Sequence, residues 1–139
     1  MTPPPLQPGS ITRRIRILVV EEHERLAHAL LQFLATEPAV EVVGSAATPD
    51  EAALKAAWAE PEVVLVDWNL PRQSAEQTCR LMRQRPSAPR IVALLDDDDE
   101  PYRAAAVAAG ADAAVGKGQL GEALVPMLRN LFPPARPLD

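Results

Sequence analysis

The sequence predicts an α/β fold, a doubly wound, five-stranded parallel sheet with helices on both faces. Short apolar runs and amphipathic segments alternate along the chain, five of each, and only short connections separate them. Three of the runs are apolar throughout, which is typical of strands buried on both faces of a parallel sheet. The second and fifth runs are polar or short, so we expect them at the edges, in the strand order 2-1-3-4-5.

The first half of the domain is predicted to contain two strand–helix units. Residues 17–20 form a buried strand, and the amphipathic helix that follows ends before Pro38. The second strand carries Glu41 between valines, which suits a sheet edge. Thr48 precedes proline, with Glu51 three positions on, and this capping pattern starts a helix that runs to about residue 59.

The second half is predicted to contain three further units. The elements are a strand over 62–67, a helix over about 74–83 that buries Cys79 and Met82, a strand over 91–95, a helix over 101–109, a short strand over 113–115 and a last helix over about 120–131. Pro126 lies inside the last helix and removes one backbone hydrogen bond, so we expect a kink or a late start there. The complete arrangement is that of flavodoxin-like folds.

Composition narrows the classes of function. The 139 residues suit one domain, predicted over 15–132, with a Pro-rich flexible tail over 1–14 and a second tail over 133–139. A net charge of −5 without a basic face argues against direct nucleic-acid binding. No apolar run approaches the roughly 18 residues that cross a bilayer, and the single cysteine favours a reducing compartment, so we expect no membrane contact and a cytoplasmic protein.

Carboxylates follow two strands that are neighbours in the predicted order. Glu21 and Glu22 follow the first strand, and Asp67 ends the third. Because the carboxyl ends of parallel strands meet at one edge, we expect these groups to converge, and hard oxygen ligands suit Mg²⁺. Lys117 follows the fifth strand on the far side of the same crevice. A carboxylate nucleophile, a dication and a lysine are the parts needed to accept a phosphoryl group.

Four segments resemble one family in order and spacing. ILVVEEH, LVDWNLP, IVALL and AGADAAVGK are similar to the response-regulator receiver domains of two-component signalling, over nearly the whole length from Ile15 to Phe132. Each segment alone is moderately specific, whereas the ordered set is strongly so. The nearest likeness is to receivers that carry helix-turn-helix output domains.

The resemblance implies a role for each residue of the crevice. Asp67 is the implied phosphoacceptor, and Lys117 pairs with the phosphoryl group. Mg²⁺ is implied to be held by Glu22, Asp67 and the main-chain carbonyl of Asn69, with Glu21 assisting through water.

Three departures from the family pattern bear on function. Glu21 and Glu22 replace the usual aspartates and are each one methylene longer, which should shift or crowd the metal. Leu95 replaces the Thr or Ser whose hydroxyl donates to the phosphoryl group, a hydrogen bond of about 1.5–3 kcal/mol. Ala114 replaces the aromatic residue of the fifth strand that responds to phosphorylation.

Two hypotheses for function remain. In the first, a stand-alone receiver takes a phosphoryl group onto Asp67 from a histidine kinase or phosphotransfer protein and signals by contact with a downstream protein or as a homodimer. In the second, the chain is a pseudo-receiver, an interaction module that works without phosphorylation. A phosphatase is disfavoured, because Asn69 stands where such enzymes place a second acid, and we expect no turnover of an external substrate.

Three smaller features have more than one interpretation. His23 and His28 are five apart and do not share a helix face, so surface histidines are favoured over a metal pair. The acidic run 96–99 is either a solvated helix start whose charges favour the helix dipole or a group that recruits a cation. Trp68 either contacts a partner or covers the edge of the sheet.

Overall fold

The structure, a computed structural model, describes residues 13–68, 72–96 and 99–133. Within these ranges, five parallel strands form one sheet in the order β2-β1-β3-β4-β5, so the predicted fold class and strand order are confirmed. The strands are β1 (Ile15–Val20), β2 (Val40–Ala46), β3 (Val63–Asp67), β4 (Arg90–Leu95) and β5 (Ala113–Gly116). The helices are α1 (Glu24–Ala35), α2 (Pro49–Ala59), α3 (Arg72–Arg83), α4 (Glu100–Ala108) and α5 (Leu120–Leu131), and a 3₁₀ turn (Lys117–Gln119) precedes α5.

Some predicted features lie outside the described residues. They are most of the two tails, the loop residues Asn69 and Pro71, and two members of the acidic run, Asp97 and Asp98.

The register of the sheet brings the ends of its strands to one edge. Val20 of β1 pairs with Val66 of β3, so the next residues, Glu21 and Asp67, come side by side. On the other side of β3, Leu95 of β4 pairs with Gly116 of β5. We call the edge where these four strands end the carboxyl rim.

The sheet separates two apolar cores. Alternate residues of each central strand point to opposite faces, so Leu18 and Val20 enter one core while Ile17 and Val19 enter the other. The first core is covered by α2, α3 and α4, and it includes Cys79 and Met82, as predicted. The second is covered by α1 and α5. None of the described helices is long and apolar enough to span a bilayer.

The start of α2 agrees with the sequence prediction, whereas the start of α5 differs from it. The Thr48 hydroxyl accepts a hydrogen bond from the Glu51 amide at 3.2 Å, as the capping pattern predicts. Of the two effects expected of Pro126, the late start is wrong, because α5 begins at Leu120 and continues through Pro126, while the kink stays a prediction. Both Pro126 and Glu122, one turn earlier, are exposed, so the carbonyl that loses its intrahelical partner faces water.

Replacing Pro126 by alanine should stabilise the domain. Alanine restores the missing N–H and removes the steric clash, while the unfolded chain gains some entropy, so we expect Pro126→Ala to raise the free energy of unfolding by about 1–3 kcal/mol. Urea denaturation followed by circular dichroism measures it. Asn130→Ala, at another exposed position of α5, is the control and should change stability by less than about 0.7 kcal/mol. Equal effects of the two variants would show that the proline does not strain the helix.

Candidate functional site

The carboxyl rim collects one charged residue from the end of each of four strands. Glu21 follows β1, Asp67 is the last residue of β3, Asp96 follows β4, and Lys117 follows β5. The three central strands are buried along almost their whole length, which fixes the positions from which these side chains project. The predicted convergence of Glu21, Asp67 and Lys117 is therefore present in the structure.

Lys117 lies between two carboxylates. Its Nζ is 3.0 Å from Asp67 Oδ1 and 2.9 Å from Asp96 Oδ1. The Asp67 side chain is 2% exposed, whereas that of Asp96 is 65% exposed. Burial alone would lower the pKa of the Lys117 amine, but the hydrogen bonds and charges of Asp96 and Asp67 raise it above its ordinary value. The amine is therefore a fixed positive charge beside a buried carboxylate.

Glu21 is a second buried acid at the rim, with 3% of its surface exposed. Its Oε1 accepts a hydrogen bond from the His23 amide at 2.9 Å and lies 3.2 Å from His23 Nδ1. Its Oε2 is buried and has no hydrogen-bond partner among the described residues. The pKa of Glu21 is raised from 4.5 to about 7. Burial is the larger cause, because it disfavours the charged form, and the neighbouring Asp67 carboxyl is the second, because two adjacent carboxylates repel one another.

Three side chains at the rim could hold a metal ion together. Glu21, His23 and Asp67 each offer a ligand atom, and these atoms lie within 4.8 Å of one another. A buried carboxylate oxygen without a partner fits a dication, since a cation would replace the missing hydrogen bond. Sequence reasoning missed His23, because it weighed this histidine only as a pair with His28. Its position two residues after Glu21 was the available signal.

The other predicted ligands are not part of this group. Glu22 is exposed and does not belong to the group of three that the described side chains form. Asn69 lies outside the described residues. The metal-binding roles of both residues therefore stay predictions.

Leu95 at the rim and Ala114 within β5 carry side chains without polar groups. Leu95 ends β4 and is 3% exposed. Ala114, in the middle of β5, is half-buried and packs against the first core. Trp68 is also half-buried and packs against this core, so part of its ring covers the edge of the sheet and part stays accessible.

Comparison with known proteins gives one consistent result. The family model described as the response regulator receiver domain matches residues 17–129. The chain belongs to the response regulator receiver domain family. The recognition made from the four sequence segments is thus confirmed.

Curated relatives of this receiver domain include longer regulators. It is 32% identical over 119 residues to the response regulator GacA of Pseudomonas protegens, and this match covers 85% of the chain and 55% of GacA. It is 30% identical over 112 residues to protein-glutamate methylesterase/protein-glutamine glutaminase 2 of Rhodospirillum rubrum, covering 80% of the chain and 31% of that protein. The chain thus spans about half the length of the GacA relatives and about a third of the esterase. The esterase activity in the latter name belongs to that protein.

Solved structures share the fold of this receiver domain. The response regulator domain of Thermotoga maritima CheB superposes with a TM-score of 0.74 at 21% identity. The match covers 89% of this chain and 100% of the CheB domain. A LuxR-family two-component response regulator from Aurantimonas sp. SI85-9A1 gives a TM-score of 0.73 at 25% identity, covering 85% and 84% of the two chains. Receiver domains typically bind Mg²⁺ at an acidic cluster and interact with histidine kinases or phosphotransfer proteins.

The raised pKa of Glu21 makes stability depend on pH when no metal is present. Between pH 4.5 and about 7 the folded domain holds a proton that the unfolded chain has released, so stability falls as pH rises through this interval. Glu21→Gln removes the charge, and we expect it to be more stable than the native chain by about 1–3 kcal/mol at pH 8 in EDTA. Thermal unfolding at pH 5 and pH 8 measures the effect.

Glu22→Gln is the matched control for this prediction. It removes the adjacent carboxylate, which is exposed, and should leave the pH dependence of the native chain in place. A Glu21→Gln variant with the same pH dependence as the native chain would contradict the assigned pKa.

Proposed function

We propose that this receiver domain accepts a phosphoryl group on Asp67 from a histidine kinase or a phosphotransfer protein. The observation that carries the proposal is the Lys117 amine 3.0 Å from the Asp67 carboxylate at the carboxyl ends of the strands. Open α/β sheets bind their ligands at this edge. The donor assignment follows from the family, whose members interact with such proteins.

The proposed step transfers the phosphoryl group between two nucleophiles. An Asp67 carboxylate oxygen attacks phosphorus, the P–N bond to the donor imidazole breaks, and its electron pair stays on the donor nitrogen. An acyl phosphate forms on Asp67. The Lys117 amine, no longer paired with a free carboxylate, then donates to a phosphoryl oxygen. Asp96 keeps the amine in place during the exchange, since it holds the same Nζ at 2.9 Å.

A dication completes the chemistry of this site. Glu21, Glu22, Asp67 and the carbonyl of Asn69 are the residues assigned to Mg²⁺ by the resemblance, and Glu21 and Asp67 are buried at the rim. A dication held by these residues would supply positive charge for the phosphoryl oxygens. In that set Glu21 would assist through water, and its Oε2 has no hydrogen-bond partner among the described residues.

The signal is proposed to leave through protein contact at α4 and β5. Tyr102 and Val107 of α4 are large apolar side chains that are more than half exposed. Arg103 donates a hydrogen bond to the Ala114 carbonyl at 2.8 Å and so ties α4 to β5. A groove of about 520 Å³ lies between α4, β5 and α5. A downstream protein or a second copy of the chain is the proposed occupant.

One observation favours a second candidate function, a phosphorylation-independent interaction module. Leu95 and Ala114 give the rim neither a hydroxyl nor an aromatic ring to respond to a phosphoryl group. In that case, the domain would bind its partner equally well whether or not Asp67 is modified.

Mass spectrometry tests the phosphoacceptor directly. With Mg²⁺ and acetyl phosphate, the native chain should gain the mass of one phosphoryl group, and Asp67→Asn should gain none. Asp50→Asn, which alters an exposed carboxylate in the first turn of α2, is the matched control and should be labelled like the native chain. Lys117→Gln should be labelled about 10- to 100-fold more slowly, since it loses a hydrogen bond to a charged group. Labelling that persists in Asp67→Asn would refute the proposal.

Position 95 tests how strongly phosphorylation is coupled to the rest of the domain. Threonine and valine have nearly the same shape, so Leu95→Thr and Leu95→Val lose similar packing, and only threonine supplies a hydroxyl. We expect Leu95→Thr to bind beryllium fluoride at least about tenfold more tightly than Leu95→Val, with larger amide shifts in α4 and α5. NMR titration in Mg²⁺ measures both quantities. Equal responses would show that the missing hydroxyl does not limit coupling.

A further inference from the structure

His23 is positioned by Glu21, with which it shares one side of the rim. Glu21 Oε1 accepts a hydrogen bond from the His23 backbone amide at 2.9 Å and lies 3.2 Å from Nδ1 of the His23 ring. His23 is the N-cap residue of α1, but its side chain makes no capping hydrogen bond within the described chain. The ring is 72% exposed, so solvent and ions can reach it. The imidazole therefore sits beside the buried acids without a role in the helix.

The spacing of the three groups suits one metal ion. Ligand atoms of Glu21, His23 and Asp67 lie within 4.8 Å of one another. Adjacent ligands around an octahedral dication with bonds of about 2.1 Å are about 3 Å apart, close to the Oε1–Nδ1 distance of 3.2 Å. Three atoms at such distances can move onto one ion by small side-chain rotations.

An independent observation also points to a ligand at this place. Glu21 Oε2 is buried and has no hydrogen-bond partner among the residues that the structure describes. A carboxylate oxygen of Glu21 lies within 4.8 Å of one of Asp67, so the Glu21 side chain faces into the cluster. A buried carboxylate oxygen without a partner is costly, and a bound cation removes that cost.

We propose that His23 is a metal ligand with Glu21 and Asp67, and that the site therefore prefers a first-row transition-metal dication, such as Mn²⁺, to Mg²⁺. This inference rests on the proposed phosphoacceptor site and adds a residue that the family resemblance does not assign. Mg²⁺ takes oxygen ligands almost exclusively, whereas imidazole nitrogen suits the transition metals. Two carboxylates and one imidazole therefore select against Mg²⁺.

Lys117 opposes any cation at the rim, but its charge is largely balanced. Its amine is 3.0 Å from Asp67 and 2.9 Å from Asp96, so two carboxylates share it. Glu21 and the remaining charge of Asp67 are then available to the ion. Among the four described residues Glu21, Asp67, Asp96 and Lys117 there are three carboxylates and one amine, a balance that accommodates a dication.

Mn²⁺ binding to the full chain tests the proposal without any phosphoryl donor. The electron paramagnetic resonance signal of free Mn²⁺ gives its dissociation constant, and competition gives that of Mg²⁺. We expect the native chain to bind Mn²⁺ at least about tenfold more tightly than Mg²⁺. His23→Ala should weaken Mn²⁺ binding about tenfold or more and change Mg²⁺ binding by less than about threefold. Pulsed resonance of bound Mn²⁺ should show coupling to an imidazole nitrogen that His23→Ala abolishes.

His28→Ala is the matched control, since His28 is an exposed histidine on α1 outside the cluster. It should leave both dissociation constants unchanged, and thermal unfolding in EDTA should show that each variant is folded. Equal losses of Mn²⁺ and Mg²⁺ affinity in His23→Ala, or no nitrogen coupling in the native chain, would overturn the proposal.

The outcome is separable from that of the phosphoacceptor test. If acetyl phosphate fails to label Asp67 while Mn²⁺ binding requires His23, the proposed function fails and the metal proposal stands. If Asp67 is labelled while His23→Ala leaves Mn²⁺ binding unchanged, the reverse holds.

Discussion

The buried charge of Asp67 constrains the rest of the carboxyl rim. Every residue of β3 is buried, so a carboxylate at its end needs an opposite charge within the fold. Lys117, which follows β5 on the other side of β4, provides this charge, with its Nζ 3.0 Å from Asp67 Oδ1. The pair depends on the register that aligns the ends of β3, β4 and β5. A shift of that register would leave the carboxylate buried and unpaired, so the ion pair and the strand order require one another.

One amine does not balance all the acids at this edge. Glu21 is buried beside Asp67, and its pKa rises to about 7 because of burial and the neighbouring carboxyl. Near neutral pH the Glu21 carboxyl therefore retains its proton more readily than an ordinary glutamate does. Asp96 stays exposed and shares the Lys117 amine, which adds negative charge without adding burial. Burial of two neighbouring carboxyls beside one amine therefore gives the rim an excess of acid groups.

Local and periodic patterns allowed most of the fold to be predicted. The three fully apolar strands and the polar edge strand determined the sheet order, and the spacing of Thr48 and Glu51 identified a helix start. Of the alternatives at Pro126, a kink or a late start, the late start was wrong, because an exposed helix face tolerates a carbonyl that bonds to water. The approach of Glu21 and Asp67 followed from strand order alone. The place of His23 did not, because it depends on the turn between β1 and α1, for which helix spacing gives no signal.

The division of the apolar interior by the sheet has a consequence for how this chain can vary. Leu30 on α1 and Met82 on α3 belong to different cores, on opposite faces of the sheet. Volume changes on one side are therefore relaxed on that side, and the energetic effects of substitutions on the two sides combine additively. Each half of the interior is free to diverge in sequence on its own, while the strands between them retain the spacing of the charged edge.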